Sequence, residues 1–158
     1  MEDGLLEPTA GAPAAAAEPA LPHRPASEPS GRVVVERRAD GRLEARARDV
    51  TLTVGRSEGA LRSVELLLTA LGSCMLGTML AYAETAGLSL DAASVELQPT
   101  LVERPERVES IVATLRIEGD LPERRVAALR RAAEHCKVHA TLAHGPAVEL
   151  VLDHVAPA

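Results

Sequence analysis

Eighteen consecutive residues, Leu66 to Ala83, carry no charged side chain. A helix of that length is long enough to cross the hydrocarbon core of a bilayer, so the first choice is between a membrane span and a helix buried in protein. The run contains Thr69, Gly72, Ser73, Gly77 and Thr78, and Glu84 follows it where a span would carry Lys or Arg. Everything downstream reads as amphipathic strands and a helix, which need a buried surface to pack on. The expectation is therefore a soluble helix covered on nearly all sides, with no membrane partner. One small domain has little with which to cover such a helix, and that points to a dimer.

A chain of 158 residues suits one domain, and a hydrophobic fraction of 46% is enough for a core. Phe and Trp are absent and Tyr82 is the one Tyr, so that core is built from Leu, Val, Ala and Ile. The aromatic platforms on which single-stranded nucleic acid stacks are missing. A net charge of −6 without a basic stripe argues against duplex binding, so no nucleic-acid partner is expected. Two cysteines cannot make a disulfide-rich secreted scaffold. The start Met1-Glu2-Asp3 is acidic and no apolar stretch follows it, which predicts a cytoplasmic protein.

Residues 1–31 hold six of the eleven prolines and the run Ala14 to Ala17, and read as a disordered tail. The domain is expected over 32–155. Val33 to Val35 form a short β-branched run, Asp40-Gly41 signals a turn, and Leu43, Ala45 and Ala47 alternate with Glu44, Arg46 and Arg48. A third strand follows at Thr51 to Val54, then a polar loop, Gly55-Arg56-Ser57-Glu58-Gly59. The long helix is predicted over Ser63 to Ala86, with Ser63 as its N-cap and Gly87 just past its end. Strands are predicted over Ser94 to Glu103 and Val108 to Glu118, with Pro99 marking an edge or a bulge. A second helix is expected to be capped by Asp120, with Pro122 in its first turn and Val126, Leu129, Ala133 and Cys136 on one face. A last strand is expected at Val148 to Leu152. The order βββ-α-ββ-α-β is an α+β arrangement.

Cys74 falls in the middle of the long helix and Cys136 on the second. Taken singly, each is most simply a buried, inert thiol. Taken as a pair, they suit peroxide chemistry, which needs an attacking thiolate and a second thiol to trap the sulfenic acid as a disulfide. A thiolate in mid-helix gains little from the helix dipole and needs a cation brought to it. Arg is the best candidate because it stays charged when buried, and the loop before the helix carries Arg56 and Arg62.

The segment Glu65-Leu66-Leu67-Leu68-Thr69-Ala70-Leu71-Gly72-Ser73-Cys74 resembles the first cysteine signature of the OsmC/Ohr family, the osmotically inducible and organic hydroperoxide resistance proteins. The segment Ala132 to Leu142, with its Cys136-Lys137-Val138, resembles the second. The 62 positions between the two cysteines and the order of elements fit as well, over residues 31–153. The wording around Cys74 is closest to the less-characterised OsmC-like branches.

The resemblance implies an OsmC-like fold with a long buried central helix, forming an intertwined homodimer with its sites at the subunit interface. It implies Cys74 as the peroxidatic cysteine and Cys136 as the resolving one, with Arg56 the best match to the arginine that activates the thiolate. Arg62, Arg48 and Arg42 stand as other candidates for that arginine. The implied reaction is reduction of an organic hydroperoxide at the expense of a thiol reductant, such as a dihydrolipoyl group on a carrier protein. Its pocket walls would be Leu, Val and Met, such as Met75 and Met79. No metal or organic cofactor is implied. The pattern departs from the family at one place: the family's active members carry a Glu where this chain has Val64. Glu65 lies about 100° round the helix from that position and is at most an auxiliary. The departure supports an alternative, the same fold with weakened catalysis, binding small apolar molecules or acting as a redox-responsive dimer.

His135, Cys136 and His139 lie close enough in sequence to suggest a zinc site, but a fourth ligand is not evident, and none is expected. His139 is a candidate for tuning the thiol beside it.

Overall fold

A computed structural model describes residues 31–154. All but the last position of the predicted tail, and Val155 at the end of the predicted domain, lie outside them. The chain runs β1 (Val34–Arg37), β2 (Leu43–Ala47), β3 (Val50–Val54), α1 (Ser63–Thr85), β4 (Ala92–Glu103), β5 (Glu106–Glu118), α2 (Glu123–Glu134) and α3 (Lys137–His144). The class is α+β, with the predicted order through α2. The end differs: in place of the strand predicted at Val148 to Leu152, the chain has no regular secondary structure, and a short third helix precedes it. A strand needs a neighbouring edge, and among the described residues none pairs with that segment.

β1, β2 and β3 form an antiparallel meander. Its first turn is held by Asp40, whose carboxylate accepts the backbone N–H of Arg42 at 3.0 Å and its guanidinium at 2.8 Å. The same contacts hold the Asp40 carboxyl below its usual range. The meander makes most of its contacts internally, and Val35, Val50 and Leu52 stay exposed.

α1 begins one residue earlier than its composition suggests. Ser63 is inside the helix, and Arg62 occupies the N-cap position. An Arg side chain is not a capping group. The closure comes instead from Glu65, whose carboxylate accepts the Arg62 N–H at 2.8 Å, the reach-back half of a capping box. The hydroxyl residues that argue against a membrane span sit comfortably, because Thr69, Ser73 and Thr78 donate to the carbonyls of Glu65, Ala70 and Cys74. Gly87, at φ 63°, follows the C-cap Ala86 as predicted.

β4 and β5 pair as a long hairpin with a register shift at Thr100/Leu101, next to the Pro99 that announces an irregularity. α1 packs on this hairpin through Gly72. A Cβ there would lie 2.7 Å from Leu97 Cδ1 and 3.2 Å from Val95 Cγ1.

α2 starts at Glu123 with Pro122 at the N-cap, so Asp120 is not its cap. Pro122 offers its carbonyl to the N–H groups of Arg125 and Val126. The buried face is Ala128, Leu129, Ala132 and Ala133, while Val126 is 43% exposed. These residues pack with Leu71, Met75, Met79, Tyr82, Ala83 and Cys136 into one core.

The long helix is not buried all round. Only 22% of its most apolar stretch is covered within the chain, and by length and composition α1 could cross a membrane. Its buried side is the one that meets α2, α3 and β4.

Candidate active site

The two cysteines come together. Cys74, half-buried on α1, packs against the core that holds Cys136 and is a close neighbour of its thiol, and no disulfide joins them. Cys136 is 1% exposed. It does not ride on α2 as expected. α2 ends at Glu134, and Cys136 has extended backbone angles and forms the N-cap of α3. Its Sγ accepts the N–H of His139 at 3.3 Å. Nothing in the local sequence announces this break, since no Gly or Pro lies between Glu134 and Lys137.

Burial pushes the Cys136 thiol up from its ordinary range. The N–H groups of His139 and Val138 pull it partly back, and the neighbouring Cys74 adds to the rise. An uncharged thiol is the form that a buried, largely apolar site favours.

The other candidate side chains lie elsewhere. Arg56 and Arg62 line a cleft of about 780 Å³ at the start of α1, together with Val64, Glu65, Leu68 and Glu106. Cys74 is not in its wall. Leu68, the last α1 residue in the cleft wall, comes six positions before Cys74, about 9 Å along the axis at 1.5 Å per residue. Within one chain the arginines and the thiol pair are therefore not brought together. Glu65 faces the same cleft with its carboxylate engaged by the Arg62 N–H. Arg42 is tied to Asp40.

His139 contributes its main chain to Cys136, while its ring Nδ1 lies 2.6 Å from the carbonyl of Glu134. His135 Nδ1 is likewise engaged, 2.7 Å from the Arg131 carbonyl. Among the described residues no three His, Cys, Asp or Glu side chains converge to hold a metal ion.

A mostly apolar cavity of about 400 Å³ opens between α1, β5 and α3; Leu71, Met75 and His139, which neighbour the cysteines along the chain, are in its wall, but neither thiol is. Leu67, Leu71 and Met75 form one side of it and His139, Leu142 and Ala143 another. Met79, expected in such a wall, is instead fully buried in the core. Tyr82 is also in the core, and its hydroxyl has no hydrogen-bond partner among the described residues.

Against known proteins, residues 55–151 match the family model described as OsmC-like protein. No curated protein sequence matches the chain. Among solved structures, the OsmC-like protein of Mycoplasma pneumoniae superposes with a TM-score of 0.67 at 15% identity, over 75% of this chain and 90% of that one. A protein of Aquifex aeolicus VF5 gives 0.65 at 19% identity, over 74% and 89%. The organic hydroperoxide resistance protein OsmC of Legionella pneumophila gives 0.56 at 18% identity, over 73% and 90%. At these identities the likeness is one of fold.

Proposed function

The chain belongs to the OsmC-like protein family, and from that premise we propose that it is a cysteine-based peroxidase that reduces organic hydroperoxides. One observation carries the reading: two thiols 62 positions apart in the chain sit side by side.

The Cys74 thiolate attacks the terminal oxygen of ROOH. The O–O bond breaks, the departing alkoxide takes a proton to become ROH, and Cys74 is left as a sulfenic acid. Cys136 then attacks the oxidised sulfur. The S–S bond forms, the S–O bond breaks, and the hydroxyl leaves as water. A dithiol such as a dihydrolipoyl carrier restores both thiols by two exchange steps and is itself oxidised to a disulfide. The reaction needs no metal and no organic cofactor. Cys136 suits the second role, since burial keeps it protonated until an electrophilic sulfur arrives. The mostly apolar cavity between α1, β5 and α3, with Leu71 and Met75 on either side of Cys74 in sequence, suits a hydrocarbon group on the peroxide. A thiol pair kept reduced between turnovers belongs in the cytoplasm.

A homodimer completes the site in this proposal. The uncovered sides of α1 and the exposed face of the β1–β3 meander would cover each other across an interface. Arg56 then serves Cys74 across that interface, since within one chain it does not reach it.

Val64 favours a second reading, in which catalysis is weak and the protein binds small apolar molecules or responds to oxidation as a dimer. Titration separates the two. One equivalent of cumene hydroperoxide should remove both free thiols rapidly, and Cys74→Ser should abolish the loss. Survival of both thiols in a large excess of peroxide rejects the enzyme.

A further inference from the structure

Sulfur caps a helix here. Cys136 Sγ accepts the N–H of His139 at 3.3 Å, and the Cys136 carbonyl accepts that of Ala140 at 3.0 Å. An oxygen from Ser, Thr, Asp or Asn usually satisfies the first-turn donors. α3 has few other supports. It is 8 residues long, with no fully buried residue, and only Val138 packs against the core. A helix that short does not persist on its own. Yet His139, Leu142 and Ala143 of α3 close one side of the cavity between α1, β5 and α3.

We propose that Cys136 is a redox-controlled cap, and that forming the Cys74–Cys136 disulfide loosens α3 and opens the cavity it covers. The inference rests on the thiol pairing of the peroxidase reading. In the reduced protein the two cysteines are neighbours in one core and are not bonded. An S–S bond is about 2.05 Å long, so closing it draws Cys136 Sγ toward α1. The electrons leave the two sulfurs for the oxidant, both thiol protons are lost, and the His139 N–H is deprived of its acceptor. Cys136 is 1% exposed when reduced and Cys74 only half-buried, so the Cys136 side of the disulfide is closed to an incoming dithiol. Release of α3 exposes the bond in the oxidised state, which is when a reductant must enter.

Hydrogen exchange on the full chain tests this. Diamide, a thiol oxidant unrelated to peroxides, is used to form the disulfide, which is confirmed by mass. The amides of residues 139–144 should then exchange about fivefold faster or more, the scale of a lost cap, while those in the buried part of α1 are unchanged. Cys136→Ser keeps an oxygen cap and cannot form the bond, so its α3 amides should stay protected with or without diamide. The proposal is overturned by a confirmed disulfide with unchanged α3 exchange. It is overturned equally by no disulfide forming with diamide, or by the serine variant responding as the parent does. If diamide loosens α3 but cumene hydroperoxide leaves both thiols intact, the cap stands and the peroxidase reading alone fails.

Discussion

Glu65 holds the backbone N–H of Arg62 at 2.8 Å, and this contact closes the first turn of α1. The side chain that sequence reasoning offers as an auxiliary to the thiol is thus a structural cap. Glu65→Ala should lower the unfolding free energy by about 1 kcal/mol and leave the rate of Cys74 oxidation unchanged. Urea denaturation and a thiol-loss assay on the same variant check both. A slower oxidation at full stability would return Glu65 to the chemistry.

Gly72 lets α1 approach β4. A Cβ at this position meets the tip of Leu97 at 2.7 Å and Val95 Cγ1 at 3.2 Å. The Leu97 tip can rotate aside, but the β-branched Val95 has less freedom. Gly72→Ala should therefore cost little, because better helix propensity offsets the contact. Gly72→Val should cost about 1–3 kcal/mol by overpacking. Thermal melts of the two variants should separate clearly; equal melting temperatures would show that α1 does not depend on this approach.

The parts of this fold that are legible in the sequence are those set by local chemistry. Alternation marks β2, β4 and β5, the uncharged run marks α1, and Gly87 marks its end. The proximity of Cys74 and Cys136 is readable as a pairing of two core-facing positions. The departures fall where one particular contact, or the lack of one, decides. Arg62 is a cap because of a carboxylate three residues on, not because of its own side chain. Cys136 leaves α2 with no Gly or Pro to signal it, because its sulfur can cap a new helix. Val148 to Leu152 has the pattern of a strand but, among the described residues, no edge to pair with.

The raised pKa of Cys136 makes stability depend on pH. Burial lifts it above its ordinary value of 9.0, so between that value and the folded one the native state holds a proton that the unfolded chain releases. The contribution is complete below pH 9.0 and is lost as pH rises through the folded pKa. Chemical denaturation of the reduced protein across this range should show stability falling with pH. Cys136→Ser, which carries no titrating thiol, should flatten the fall, and an identical slope in the variant would remove the thiol as its cause.

Val64 lines the same cleft as Arg56 and Arg62. Val64→Glu places a carboxylate where it can hold a guanidinium in one orientation, and oriented charge is what a thiolate needs. The variant should be oxidised by cumene hydroperoxide about tenfold faster or more, if Arg56 is the activating group. Adding Arg56→Ala should cancel the gain. A gain that survives the loss of Arg56 would assign activation to another cation, with Arg62 next to be substituted.

The strand-like segment at the end of the described chain carries the last prediction. Val148, Leu150 and Leu152 alternate along the sequence as one face of a strand would, and are 89%, 93% and 88% exposed. Burying each such side chain contributes about 1.5–3 kcal/mol, and water gives them none of it. The β1–β3 meander has open edges and exposed Val35 and Val50. In a homodimer both sets find cover, and the segment gains the strand neighbour it lacks. Sedimentation should therefore show a dimer at micromolar concentration. Leu150→Lys combined with Leu152→Lys should raise the dimer dissociation constant by about two orders of magnitude or more and lower the melting temperature with it. A dimer that resists both lysines would place the interface on the uncovered side of α1 alone, and a parent protein that sediments as a monomer would remove the shared site through which Arg56 is proposed to reach Cys74.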